Sequence, residues 1–527
     1  MITAAANLPR RTANYKPNIW NYDHLQSLTT TFHLEEHQTE AEILKHQVCS
    51  EFRELRDPLH KLELIDLIDK LALSHYFEEE INKSVQEMAC ASLSMDTDPY
   101  SAALYFRILR HHGYHASQDG IVQLLDEAEK VTGGVQWDDK ARLEIFEASH
   151  LGVEGECLFE RAKKAFDKKK FSVCHRNVRW FNVRRYMHEN NNSVIHRLAG
   201  LSFNTIQVQH QNDLKDIIRW WRNLGLLEVL TFSRDRVVES FLWAVGVAYE
   251  PQHGSLRKWL TKAILLVVII DDVYDIYGSM DELEQFSIAV ERWDPSEIQQ
   301  LPEALKRCFW MLYDTANDID LEIQNEKGWT SVLPHLKKVW IGFCKALLVE
   351  AKWFWRGESP SLVKYLENGW VSSSGPVLSL HALLGAGHDT DESVAAFDNN
   401  QEIIHHASLV IRLCNDQGTS KAELERGDSP SSIVCHMREA NVREEEARGH
   451  IRKLITDSWK RMNGILMRCP RPQQGMLRYV VNTARVANFI YQNGDGFGVQ
   501  DRETKGQVLS CLINPMHLSL SSPSNQG

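Results

Sequence analysis

The chain has 527 residues, 43% hydrophobic and 25% charged, enough for two or three domains with sizeable cores and the balance of a soluble globular protein. A formal net charge of -12 excludes a general nucleic-acid binder, which would carry a basic face, so the KAFDKKK cluster at 164–170 reads as a solvated helix face. Ten cysteines are scattered singly with no CxxC pair, which argues against a zinc ribbon or a disulfide framework and for a reducing compartment.

Only MITAAANLP precedes Arg10, with no apolar signal core and too little length for an organelle transit peptide. The expectation is a cytosolic protein or a chain that starts after processing; the sequon Asn191-Asn192-Ser193 is then silent. Further on, the periodicity is helical. Leu64, Ile65, Ile68, Leu71 and Ala72 share one helix face, as do Leu214, Ile217, Ile218, Trp221 and Leu224. There is no run of alternating strands, no βαβ pattern, no Gly-rich phosphate loop and no repeat of 20 to 50 residues. Breakers at 251–254, 293–295, 357–360 and 469–472 predict long helices joined by short loops. The polar, basic stretch 168–192 gives way to amphipathic helices, which sets a domain boundary near residue 205. The apolar run AILLVVII at 263–270 is far shorter than the roughly 18 residues of a membrane span, so none is expected. The end of the chain, 518–527, reads as a disordered tail.

Three segments carry chemistry. In IIDDVYDIYG (269–278), Asp271 and Asp275 are four residues apart and share a helix face, while Asp272 points about 100° away. Two such carboxylates can bridge Mg2+, which favours oxygen ligands and keeps several waters beside substrate phosphates; alone, they also read as an exposed helix end with incidental acids. In RLCNDQGTSKAE, Asn415, Thr419 and Glu423 place three oxygen ligands on one stripe, with Arg412 on the same side. In TFSRDRVVESFLW, Arg234 and Arg236 suit bidentate phosphate contact, and Trp243 follows seven residues after Arg236; alone, this reads as a surface basic pair beside a core tryptophan.

Together these segments resemble the plant class I terpene synthases. DDVYD fits their DDxxD motif, NDQGTSKAE their (N/D)Dxx(S/T)xxxE motif and RDR their RxR element. RRTANYKPNIW fits the RRx8W motif of the angiosperm monoterpene synthase branch at Arg10, Arg11 and Trp20, and EASHLGVEGE and SSSGPV are similar to that branch too. The resemblance covers essentially the whole chain and implies an all-α fold: an N-terminal helical domain over 10–205 and a class I helical bundle over 206–517. It implies Asp271, Asp275, Asn415, Thr419 and Glu423 as metal positions for three Mg2+ ions, with Mn2+ as an option. Arg234, Arg236 and Arg412 would contact diphosphate, and Asp272 and Asp416 would stand behind the metal positions. Trp243, Tyr491, Asp495 and Phe497 would line the cavity.

The implied activity is that of a lyase: a monomeric, Mg2+-dependent monoterpene synthase ionising geranyl diphosphate to an acyclic or cyclic product, in the plastid by resemblance. The runner-up is farnesyl diphosphate with a sesquiterpene product, supported by the missing transit peptide. A catalytically impaired helical scaffold is the third reading, because the chain is shorter than expected by about one helix between EASHLGVEGE and Leu214. A chain-elongating prenyltransferase would carry a second DDxxD, and no DxDD of a class II cyclase occurs. HLEEH at 33–37 matches an inverted zinc-protease pattern and Arg426-Gly427-Asp428 an RGD tripeptide; both are read as decoys.

Overall fold

The computed structural model describes residues 13, 15–29, 34–91, 98–130, 137–165, 174–187, 194–226 and 228–518. Every regular element among them is helical. Arg10 and Arg11, His33 of the HLEEH decoy, and the tail from 519 onward lie outside the described residues.

Helix starts in the N-terminal half follow local chemistry. Asp57 and Asp98 each precede a proline at the first helical position and accept a hydrogen bond from a backbone N–H three residues on, at His60 and Ser101. These helices bury apolar stripes such as Leu62, Ile65 and Ile68, and the predicted face at 64–72 is in the core. Two buried arginines tie the stripes together. Arg107 meets Asp66 at 2.7 Å and also holds Glu144, while Arg110 takes Glu156 of the EASHLGVEGE segment at 2.6 Å.

The boundary expected near 205 falls inside one continuous helix, Val194–Asn223, which carries Leu214, Ile217, Ile218 and Trp221 in the core. The residues on both sides of it join a single hydrophobic cluster from Tyr22 to Met516.

The breakers separate helices as predicted. The aspartate helix Gly254–Asp272 packs between Val237–Val247 and Gly375–Ala386; the asparagine helix Gln401–Arg426 packs against Glu444–Arg468 and Arg471–Tyr491. Most of the apolar run 263–270 is buried, so it forms the packed scaffold of the aspartate helix. SSSGPV interrupts a helix pair: Leu362–Ser372 ends, Ser374 takes a left-handed φ of 65°, and Gly375 starts the next helix. A Cβ at Gly375 would collide with Ser408 of the asparagine helix, so the two helices meet there backbone to side chain. No helix among the described residues is long and apolar enough to cross a membrane.

Candidate active site

The aspartate helix does not run through its motif as a plain α-helix. Asp271 and Asp272 are its last residues, and Val273–Tyr277 form a π turn closed by Gly278 N donating to Val273 O at 2.8 Å. The simple four-residue helical register expected for Asp271 and Asp275 is corrected accordingly. Gly278 ends this turn at a position where a Cβ would collide with Leu283; such turns are frequent at functional sites.

The three acids then part company. Asp272 is fully buried and accepts from Ser233 Oγ (2.8 Å), Arg234 N (2.9 Å) and Arg234 Nε (3.3 Å). Its other oxygen lies 2.8 Å from Arg234 Nη2, which also donates to Asp271 at 2.8 Å. Burial opposes the charge on Arg234, but Asp272, Tyr15 and Asp271 carry its pKa well above the ordinary guanidinium value. Burial raises the Asp271 carboxyl in spite of Arg234. Asp275 keeps an exposed edge, yet the protein enclosing it, followed by Asp271, Glu350 and Asp428, raises its carboxyl well above the usual range.

Across the cavity, Asn415, Thr419 and Glu423 fall on the unbroken asparagine helix. Thr419 Oγ1 donates to Asn415 O at 2.9 Å, and burial together with Asp416 pushes Glu423 up to about 7. Asp416 is buried and accepts from Tyr365 OH at 3.0 Å on each oxygen and from Ser432 N at 2.9 Å. Arg412 is held by Ser372 Oγ at 3.1 Å, and Ser372 in turn donates to Glu350.

A cavity of about 120 Å³ reaches Asp271 and Asn415 of the two motifs, while Asp275, Thr419 and Glu423 stand outside its lining. Arg234, Arg412, Asp271 and Asn415 form its polar end, and Trp243, Tyr491 and Phe497 stand among its apolar walls. The Trp243 ring meets Tyr491 at 6.2 Å and Phe497 at 5.9 Å, both edge to face. Ser372, Ser373 and Ser374, at the helix break, also line it.

Arg236, Asp495 and Trp20 stand apart from this lining. Arg236 is buried and donates to Gly498 O (2.9 Å) and Asp235 O (2.9 Å), while Asp495 accepts from Phe497 N and Gly498 N at 3.2 and 2.7 Å. Both organise the turn that presents Phe497. Trp20 Nε1 donates to Glu239 at 2.7 Å, and Asn18 and Tyr22 both bond Asp235, so the N-terminal segment is tied to the loop bearing Arg234. Next to it the Tyr15 ring covers the Arg234 guanidinium at 5.0 Å.

Sequence reasoning missed Glu350, Tyr365, Asp428 and Tyr15. Glu350 had a usable signal, a carboxylate on the stripe of Phe343, Leu347 and Ala351, all buried. Asp428, which raises both Asp275 and Glu423, stands between the two stripes; the RGD tripeptide is thus part of the site's surroundings.

Among the described residues no three His, Cys, Asp or Glu side chains cluster tightly enough to hold a metal by themselves. The donor set still fits a hard divalent cation. Oxygen groups project from two facing helices, their carboxyls are raised by enclosure and mutual repulsion, and Mg2+ is ordinarily held by one or two carboxylates plus substrate phosphates.

The fold and site are those of a metal-assisted lyase for diphosphate esters, with guanidinium groups at one end of an aromatic-walled cavity. Residues 222–461 match the model of the terpene synthase family, metal binding domain, and residues 19–179 that of the terpene synthase N-terminal domain. The chain belongs to the terpene synthase family and is a terpene synthase, acting with a divalent metal on prenyl diphosphates. It is 45% identical to an alpha-farnesene synthase of Ricinus communis over 542 positions, covering 97% of this chain and 96% of that one. That alignment is longer than the chain itself, so this chain carries internal gaps relative to that relative. It is 37% identical to a trans-ocimene synthase, chloroplastic, of Litsea cubeba, over 97% of this chain and 92% of the relative. A solved limonene synthase with 2-fluorolinalyl diphosphate superposes with a TM-score of 0.88 at 32% identity, covering 96% of this chain and all of that one. Isoprene synthase from grey poplar, in complex with three Mg2+ ions and dimethylallyl-S-thiolodiphosphate, superposes with a TM-score of 0.83 at 34% identity, covering 95% and 99%.

Proposed function

We propose that the chain ionises farnesyl diphosphate and releases an acyclic sesquiterpene. The observation that carries the reaction is the placement of Arg234 and Arg412 at the polar end of one cavity whose walls include Trp243, Tyr491 and Phe497. The observation that carries the chain length is the naming of two relatives, at 45% and 43% identity, as farnesene synthases. Geranyl diphosphate is the second reading, favoured by the RRx8W motif and by the ocimene and myrcene synthases at 37% identity.

In this reading Asp271, Asp275, Asn415, Thr419 and Glu423 would hold Mg2+, with Mn2+ as an alternative ion. The bound metal supplies Lewis-acid charge that eases departure of the diphosphate. Arg234 and Arg412 bind the departing oxygens; Asp272 fixes the first, and Ser372 fixes the second. Trp243, with Tyr491 and Phe497 around it, excludes water and faces the allylic cation, a contact of about 2 kcal/mol when desolvated. Arg236 and Asp495 position the Phe497 turn rather than touching substrate. Loss of a proton from the linear cation gives the acyclic olefin. A monomer acting in the cytosol suits the farnesyl reading; the plastid suits the geranyl one.

Purified protein incubated with Mg2+ and either farnesyl or geranyl diphosphate, with volatiles identified by gas chromatography, tests this. A higher kcat/KM with farnesyl diphosphate and an acyclic C15 product is expected. The reverse preference moves the assignment to geranyl diphosphate, and no product from either sinks both.

A further inference from the structure

A second cavity, of about 360 Å³, lies between the N-terminal and catalytic halves. The helix Arg471–Tyr491 presents Arg471, Arg478 and Arg485 to it. Spaced by seven residues, or ~10 Å of helix rise each, the three share one face. Across from them stands Arg179, supplied by the stretch in which the sequence reads one helix short.

The charges in this space do not cancel. Arg179 is bonded to both oxygens of Asp69, at 3.0 and 3.2 Å, and Arg110 is taken by Glu156. Arg478 is shared by Glu78 and Glu250, each at 3.5 Å, which leaves its buried Nε without a hydrogen bond among the described residues. Arg471 stacks on Tyr114 at 3.8 Å. Arg485 donates Nε to His175 O (2.9 Å) and Nη1 to Asn482 Oδ1 (2.8 Å). Among the described residues no carboxylate reaches ion-pair distance of Arg471 or Arg485, and no acceptor meets Arg485 Nη2. Burial, and Arg179 beside it, pull Arg485 down to about 9. Arg485 is half-buried and without a counter-charge at ion-pair distance among the described residues, and an oxyanion that entered would supply that charge.

We propose that this interdomain cavity binds a compact phosphate-class oxyanion, inorganic diphosphate or the diphosphate group of a prenyl ester, between Arg485 and Arg478. The planar fork of each guanidinium matches paired phosphate oxygens, and Asn482, whose Nδ2 is anchored on Val247 O at 2.7 Å, holds Arg485 in place through its Oδ1. The ligand class is the one that terpene synthase chemistry consumes and releases. The site does not depend on which prenyl chain is turned over, nor on the residues of the catalytic cavity.

The test uses the full chain carrying Arg234→Gln and Arg412→Gln, so that the catalytic cavity loses its own diphosphate grip, in metal-free buffer. Titration calorimetry with inorganic diphosphate is expected to find one saturable site, weakened about tenfold or more by adding Arg485→Gln. Absence of binding before that change, or unchanged affinity after it, overturns the proposal. If Arg485→Gln loses its circular dichroism, Asn482→Leu decides in its place: about tenfold weaker binding supports the site and equal binding overturns it. Geranyl S-thiolodiphosphate, run in parallel, identifies the source, since the tighter of the two ligands names it as free anion or ester head group.

Discussion

Asp272 and Asp416 occupy matching places, each one residue beyond a cavity-facing oxygen ligand, and they hold their arginines in different ways. Asp272 takes three contacts from Arg234 itself, so that guanidinium is clamped in one orientation. Asp416 spends its oxygens on Tyr365 and Ser432 and lies 3.9 Å from Arg412, whose position comes instead from Ser372 and Glu350. Of the two arginines that line the cavity, Arg234 is therefore held by two carboxylates at 2.8 Å, and Arg412 by a serine hydroxyl at 3.1 Å that leads on to Glu350. The inner aspartates serve the frame, and the outer acids, Asp271 and Asp275, carry raised carboxyls.

The largest effect should separate outer from inner acids. Asp271→Ala or Asp275→Ala is expected to lower turnover roughly a thousandfold or more, the loss of several kcal/mol of metal-supplied stabilisation, with the melting temperature little changed. Retained activity in both variants would refute their role. Second, Asp272→Ala should cost about 3–5 kcal/mol in denaturant unfolding because it strands a buried guanidinium. Asp416→Ala should cost only about 1–3 kcal/mol, because its close donors are neutral; the opposite order breaks the comparison. Third, Trp243→Leu is expected to lower kcat about 30-fold, the rate equivalent of about 2 kcal/mol of cation–π stabilisation, while Mg2+ affinity stays put. The smallest effect is Tyr365→Phe, at about 1 kcal/mol of stability, with KM for the prenyl diphosphate unchanged because Arg412 is held by Ser372 and Glu350.

The helical fold was legible because its signals are local. The stripe at Leu64–Ala72, the Asp-Pro helix starts and the breakers at 293–295 and 357–360 each act within a few residues. Asn415, Thr419 and Glu423 share one unbroken helix, as their spacing predicts, whereas Asp275 falls on the π turn and Arg234 precedes the helix Val237–Val247. What stayed hidden depends on partners distant in sequence. Arg236 looks like a phosphate ligand until its acceptor, Gly498 O, is seen 262 residues away, and Glu350 gains meaning only beside Ser372 and Arg412. The π turn after Asp272 was also hidden, because the residue pattern of VYDIY does not distinguish it from a continued α-helix.

The helix Val194–Asn223 spans 30 residues, ~45 Å, and is buried along much of its length in both halves. It acts as a splint across the joint. Rocking one half against the other would have to bend it, at the expense of packing along its whole length, so the two halves behave as one body.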